Sequence, residues 1–166
     1  MLRHGPAFVA LTASALLCQA QTTEERRNWF DDPFFQVTAA IADCPPPAGP
    51  FVTEAERRLQ AHHRAERGTT CWLSGQCDRP NDYAYDQDIA AAFRAAWAQH
   101  PPEVGDTTLW VTVQGRVVYL EGCATREAAT AALEGFANSL PNVRQAIANL
   151  RTQASERAPY PLRSPP

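Results

Sequence analysis

Thr108-Leu109-Trp110-Val111-Thr112-Val113, Gln114-Gly115-Arg116 and Val117-Val118-Tyr119-Leu120-Glu121-Gly122-Cys123 read as two strands and the turn between them. β-Branched and aromatic residues fill both runs, and a short glycine-containing break separates them, which is the pattern of a β-hairpin. Side chains alternate along a strand, so Val118, Leu120 and Gly122 share one face while Val117, Tyr119, Glu121 and Cys123 share the other. The Gly122 face suits close approach by a helix of small residues. Cys123 is left on the opposite, open face.

Downstream, Thr125 is placed to cap a helix reaching about Asn138, with Ala128, Ala132, Leu133 and Phe136 as its apolar stripe. After Leu140-Pro141-Asn142, the run Val143 to Leu150 reads as a third strand. Upstream, Asp86 is placed to cap a helix from Gln87 to about His100, which Pro101-Pro102 ends. Ile89, Phe93, Ala96 and Trp97 fall on one side of it by their three- and four-residue spacing. Further back, Thr53-Glu54-Ala55-Glu56 is a capping box and Gly68 a stop, which predicts a helix over 53–67. Leu59 is its one large apolar side chain, so a surface helix is expected, with His62 and His63 solvated. Residues 21–43 hold Trp29, Phe30, Phe34 and Phe35, an aromatic cluster too short to fold alone, and Cys44 to Pro50 is a stiff proline-rich spacer.

The order helix, strand, strand, helix, strand resembles the BON domain family (bacterial OsmY and nodulation domain). Asp86 and Ile89 opening the first helix, Val117 to Gly122 on the second strand and the closing run Asn142 to Leu150 carry the likeness, which covers residues 86–152. It implies an α+β fold, a small three-stranded mixed sheet with two helices on one face. It also implies no catalytic residue, no cofactor and an envelope role, commonly phospholipid binding or attachment of other modules to membranes. The part before it, with Cys71 to Cys77, Asn81 and Tyr83 to Asp86, is similar to an extension found in some exported proteins of this group.

Composition narrows the chemistry. The 166 residues carry 18 acidic and 15 basic side chains, a formal net charge of −3, and every basic residue is Arg. Without Lys there is no Schiff-base chemistry and no phosphate loop that depends on an ammonium. A weakly acidic chain offers no footprint for nucleic acid. Serine-hydrolase, metalloprotease, nucleotide and dinucleotide fingerprints are missing from the sequence, so a non-enzymatic role is expected.

Residues 1–20 read as a secretory leader: Arg3 and His4, an apolar run from Pro6 to Leu17, then Cys18-Gln19-Ala20 with cleavage after Ala20. Lipoprotein anchoring at Cys18 is the less favoured alternative, and the expected compartment is the periplasm. Cleavage leaves Cys44, Cys71, Cys77 and Cys123, an even set that in an exported chain points to two disulfides with three possible pairings. The short turn between Cys71 and Cys77 favours pairing those two and leaves Cys44 for Cys123, whereas a Cys123–Cys77 bond would uncouple the N-terminal segment from the sheet. In the first case the aromatic segment is expected to cross the open face. The set lacks paired CxxC knuckles for a metal.

The expected organisation is therefore a leader over 1–20, a cysteine-containing helical and loop extension over 21–85, a BON-like domain over 86–152 and a disordered proline-rich tail over 153–166. Trp72 and Leu73 at the small loop, and Phe93 and Trp97 on the helix, are the candidates for lipid or partner contact. The leading expectation is a phospholipid or membrane-surface binding module. The alternative is a periplasmic protein–protein adaptor with no lipid contact.

Overall fold

The computed structural model describes Met1 and residues 24–163, so the expected leader and Cys18 lie outside the described residues. Its elements run β1 (Phe34–Ala39), α1 (Glu54–Glu66), α2 (Thr69–Leu73), a 3-10 turn (Asp82–Tyr85), α3 (Asp86–Gln99), β2 (Thr107–Gln114), β3 (Val117–Ala124), α4 (Ala129–Asn138) and β4 (Gln145–Arg151). The α+β class holds. The sheet, however, has four strands in the order β1-β2-β3-β4, not three. β1 comes from the aromatic segment, which pairs antiparallel with β2 instead of crossing the open face. β2 and β3 pair antiparallel, and β3 and β4 pair in parallel through α4.

The hairpin closes at Gly115 and Arg116, both at positive φ (60° and 67°), the backbone of a two-residue turn that follows the strand twist. Arg116 is not a residue that favours this region, and three contacts hold it there. Asp86 accepts its backbone N–H at 2.8 Å, its Nε donates to the Asn142 carbonyl at 2.8 Å, and its guanidinium lies 4.4 Å from the Tyr85 ring centroid. Asp86 accepts the Gly115 N–H as well, at 2.7 Å. So Asp86 does not cap α3. The N-cap position is Tyr85, with no side-chain bond, and the carboxylate instead ties the start of α3 to the hairpin. Thr125 likewise does not cap α4; its hydroxyl donates to the Asp106 carbonyl, and the cap position is Ala128.

The core lies between the sheet and the pair α3 and α4. Ile89, Phe93, Leu109, Val111, Val113, Val118, Leu120 and Leu133 are fully buried there. The inner side of α4 is Ala129, Leu133 and Ala137, one residue on from the expected stripe at Ala128 and Ala132. Gly122 does face this core, but the close approach it permits is to a strand. A Cβ there would overlap the Thr108 carbonyl oxygen of β2, at a φ of +150°.

α1 forms as expected: Thr53 accepts the Glu56 N–H and Glu56 accepts the Thr53 N–H, a complete capping box. It docks through arginine on aromatic rings. Arg64 is buried, 4.0 Å from the Phe30 centroid and 3.9 Å from that of Tyr83, and Arg57 lies 5.6 Å from Trp29. Leu59 points to solvent, 81% exposed.

Both disulfides form, Cys44–Cys123 and Cys71–Cys77. The open face of the sheet is crossed by the segment after Cys44 and by the C-terminal tail. These two pair as a strap through an isolated bridge between Pro47 and Leu162, with Ala48 N–H donating to the Pro161 carbonyl at 2.8 Å. The expectation of disorder from residue 153 therefore fails over the described part of the tail. Tyr160 is 5% exposed, its hydroxyl donating to the Pro45 carbonyl at 2.8 Å and lying within 4.0 Å of both Cys44 and Cys123 sulfurs. No helix among the described residues is long and apolar enough to cross a membrane.

Candidate functional site

Gly68, at φ +86°, lets the chain turn from α1 into α2 while lying against the Asp82 side chain. α2 carries Cys71, Trp72 and Leu73. Ser74 and Gly75 then reverse the chain, with Ser74 N–H donating to Thr70, Gly75 N–H to Trp72 and Gln76 N–H to Cys71. The Cys71–Cys77 bond closes this loop, with Cα atoms 5.3 Å apart. So small a loop has no interior. Trp72 is 46% and Leu73 82% exposed, and together they form an apolar tip of fixed shape.

The base of this tip is electrostatically unusual. Asp82, 1% exposed, accepts from Arg144 at 2.9 Å, with Arg67 at 3.5 Å and Arg116 at 4.0 Å. Three guanidiniums on one carboxylate leave a local cationic surplus, and the Arg67 and Arg144 side chains remain substantially exposed. A second buried carboxylate, Asp32, is paired with Arg64 and accepts from Gln114 Nε2 at 2.6 Å. Asp86, the third, is pushed up to about 6 by burial, which outweighs the backbone N–H donors of Arg116 and Gly115 that hold it down. Asp32 thus anchors α1 to the body.

Under the strap, a cavity of about 300 Å³ is lined by Ala48, Gly49 and Pro161 on one side and by Thr112, Gln114, Tyr119, Glu121 and Asn149 of the sheet on the other. Burial pushes the Glu121 carboxyl up from the ordinary glutamate range. All four cysteines of the described residues are in disulfides, so none offers a thiol.

The four candidate contact residues separate into two groups. Trp72 and Leu73 stand in solvent. Phe93 is fully buried, stacked on Trp97 at 5.8 Å and edge-on to Phe136 at 5.3 Å, so it cannot contact a lipid or a partner; its spacing reported the core. Trp97 is partly buried beside a groove of about 230 Å³ that includes Phe35, Val37 and Arg94. The arginines at Asp82 and the polar lining under the strap were not anticipated. Their one signal was the use of Arg for every cation among many aromatics, since Arg alone both forks to carboxylates and stacks on rings. No protein-family model, no curated protein and no solved structure matches this chain.

Proposed function

We propose that this chain is a non-catalytic, periplasmic binding module of the BON type that docks on a phospholipid surface through the tip at Trp72 and Leu73. The observation that carries the reading is a disulfide-pinned pair of exposed apolar side chains on a short helix whose start at Gly68 lies against Asp82, the carboxylate that the partly exposed Arg67 and Arg144 share. Burying a leucine in an apolar phase stabilises by about 1.5–3 kcal/mol. A tryptophan suits the headgroup level because its ring is apolar and its N–H stays wet. Each arginine near an anionic surface adds about 1 kcal/mol. The overall charge of −3 opposes attraction to an anionic surface, so contact is weak and depends on insertion of the tip.

Vesicle flotation of the full chain tests this. Co-flotation is expected with phosphatidylglycerol vesicles, reduced about tenfold in apparent affinity by Trp72→Ala together with Leu73→Ala, and weakened by Arg144→Gln. Equal flotation of wild type and the tip variant would remove the tip from the mechanism. Complete absence of flotation would favour the adaptor reading, for which the groove between Trp97 and the edge strand β1 offers a surface.

A further inference from the structure

We propose that the cavity beneath the strap is a binding site for a small organic ammonium, independent of the tip and of the reading given to it. Its wall is rich in acceptors. Glu121 is the one charged residue lining it, and neither Glu121, Tyr119, Asn149 nor Thr112 makes a side-chain hydrogen bond to another described residue. Gln114 commits its Nε2 to Asp32, which leaves Oε1 as a further acceptor with no partner among the described residues. A carboxylate accepts and cannot donate, whereas the hydroxyls of Tyr119 and Thr112 and the amide of Asn149 can turn either way. The group that satisfies such a wall is a donor carrying positive charge. An ammonium gives two or three N–H bonds and the countercharge that a half-buried carboxylate lacks. The Tyr119 ring adds a face for its alkyl part or its charge. An anion is excluded by Glu121, and a neutral polyol would leave that charge unpaired.

The neighbouring cavity of about 430 Å³ does not compete. Its charged residues are already engaged, Arg26 with Glu56 and the Phe51 carbonyl and Arg163 over the Phe34 and Phe51 rings. The cavity under the strap is about the smallest that holds a ligand, which fits a short amine rather than a large one. Cys44–Cys123 ties the strap to β3, and the Ala48 to Pro161 bond joins its two segments to each other.

Nuclear magnetic resonance titration of the full chain with ethanolamine, and with ethylene glycol as its uncharged counterpart, tests the proposal. Saturable shifts of the Asn149 and Gln114 side-chain amides are expected with ethanolamine and not with ethylene glycol. Glu121→Gln, which keeps the shape and removes the charge, is expected to weaken binding about tenfold or more. A wild type that does not saturate, an equal response to the diol, or unchanged affinity in Glu121→Gln would each overturn it. Should that variant fail to fold, the comparison of amine with diol on the wild type decides alone. Phosphatidylethanolamine against phosphatidylcholine vesicles then separates an ammonium borne by a lipid from a free one. Loss of the tip residues leaves the ethanolamine titration unchanged, so the two proposals fail separately.

Discussion

Asp86 carries more of the fold than its position at a helix start suggests. Its two oxygens take both N–H groups of the hairpin turn, so one side chain joins α3 to the β2–β3 connection. Burial raises its folded-state pKa to about 6, above the ordinary aspartate value. The folded protein therefore holds this proton more tightly than the unfolded chain. The sign follows: where the native state binds more protons, stability falls as pH rises. The contribution of Asp86 is most favourable below about pH 4, declines between about pH 4 and 6, and is flat above. Two pKa units correspond to on the order of 2–3 kcal/mol. Urea unfolding of wild type and Asp86→Asn across this range is expected to show their stability difference shifting in favour of the variant as pH rises. Parallel curves would mean that burial at Asp86 does not govern its titration.

At the scale of elements, α1 is fastened by arginine. Arg64 lies between the rings of Phe30 and Tyr83 and meets Asp32, which Gln114 of β2 also holds. Lysine would keep the charge yet lose the flat stacking surface and the forked donors. Arg64→Lys is expected to cost about 2 kcal/mol, with hydrogen exchange rising first along α1. A variant with the wild-type urea midpoint would show that the stacking contributes nothing. This helix also marks where the sequence was readable. The capping box placed its start, because a cap is a local signal spanning four residues. The hairpin, α3 and β4 were legible from their own local residue patterns, each within a residue or two of its observed ends, although the cap expected of Asp86 is not made. β1 was not, since Phe34 to Ala39 becomes a strand by pairing with residues about 70 positions away. The tail was misread because Tyr160 gains its burial from the distant Cys44–Cys123 bond. Buried Asp32, Asp82 and Arg64 were hidden by the ordinary surface preference of charged residues. At the candidate site, the small cysteine loop was legible, while its cationic base and the groove under the strap depend on contacts made only in three dimensions.

Across the whole molecule, the two disulfides do different work. Cys44–Cys123 spans 79 positions and ties the strap to β3, whereas Cys71–Cys77 spans six and shapes only the tip. Together they point to an oxidising, extracytoplasmic environment, since such bonds are rare among cytosolic proteins. Loop-closure entropy assigns about 4.5 kcal/mol to the long loop and about 2.4 to the short one. Replacing Cys44 and Cys123 together by alanine is therefore expected to lower the urea midpoint well beyond the effect of replacing Cys71 and Cys77. The long bridge also holds Tyr160 and, through it, the paired segments over the sheet. Its loss is expected to expose the Ala48 and Arg163 amides to hydrogen exchange and to abolish the response of the Asn149 amide to ethanolamine. Loss of the short bridge should leave both intact and weaken only vesicle contact. If the two double variants lost stability equally, or if the strap amides stayed protected without Cys44–Cys123, the sheet and not the disulfide would be what holds the strap.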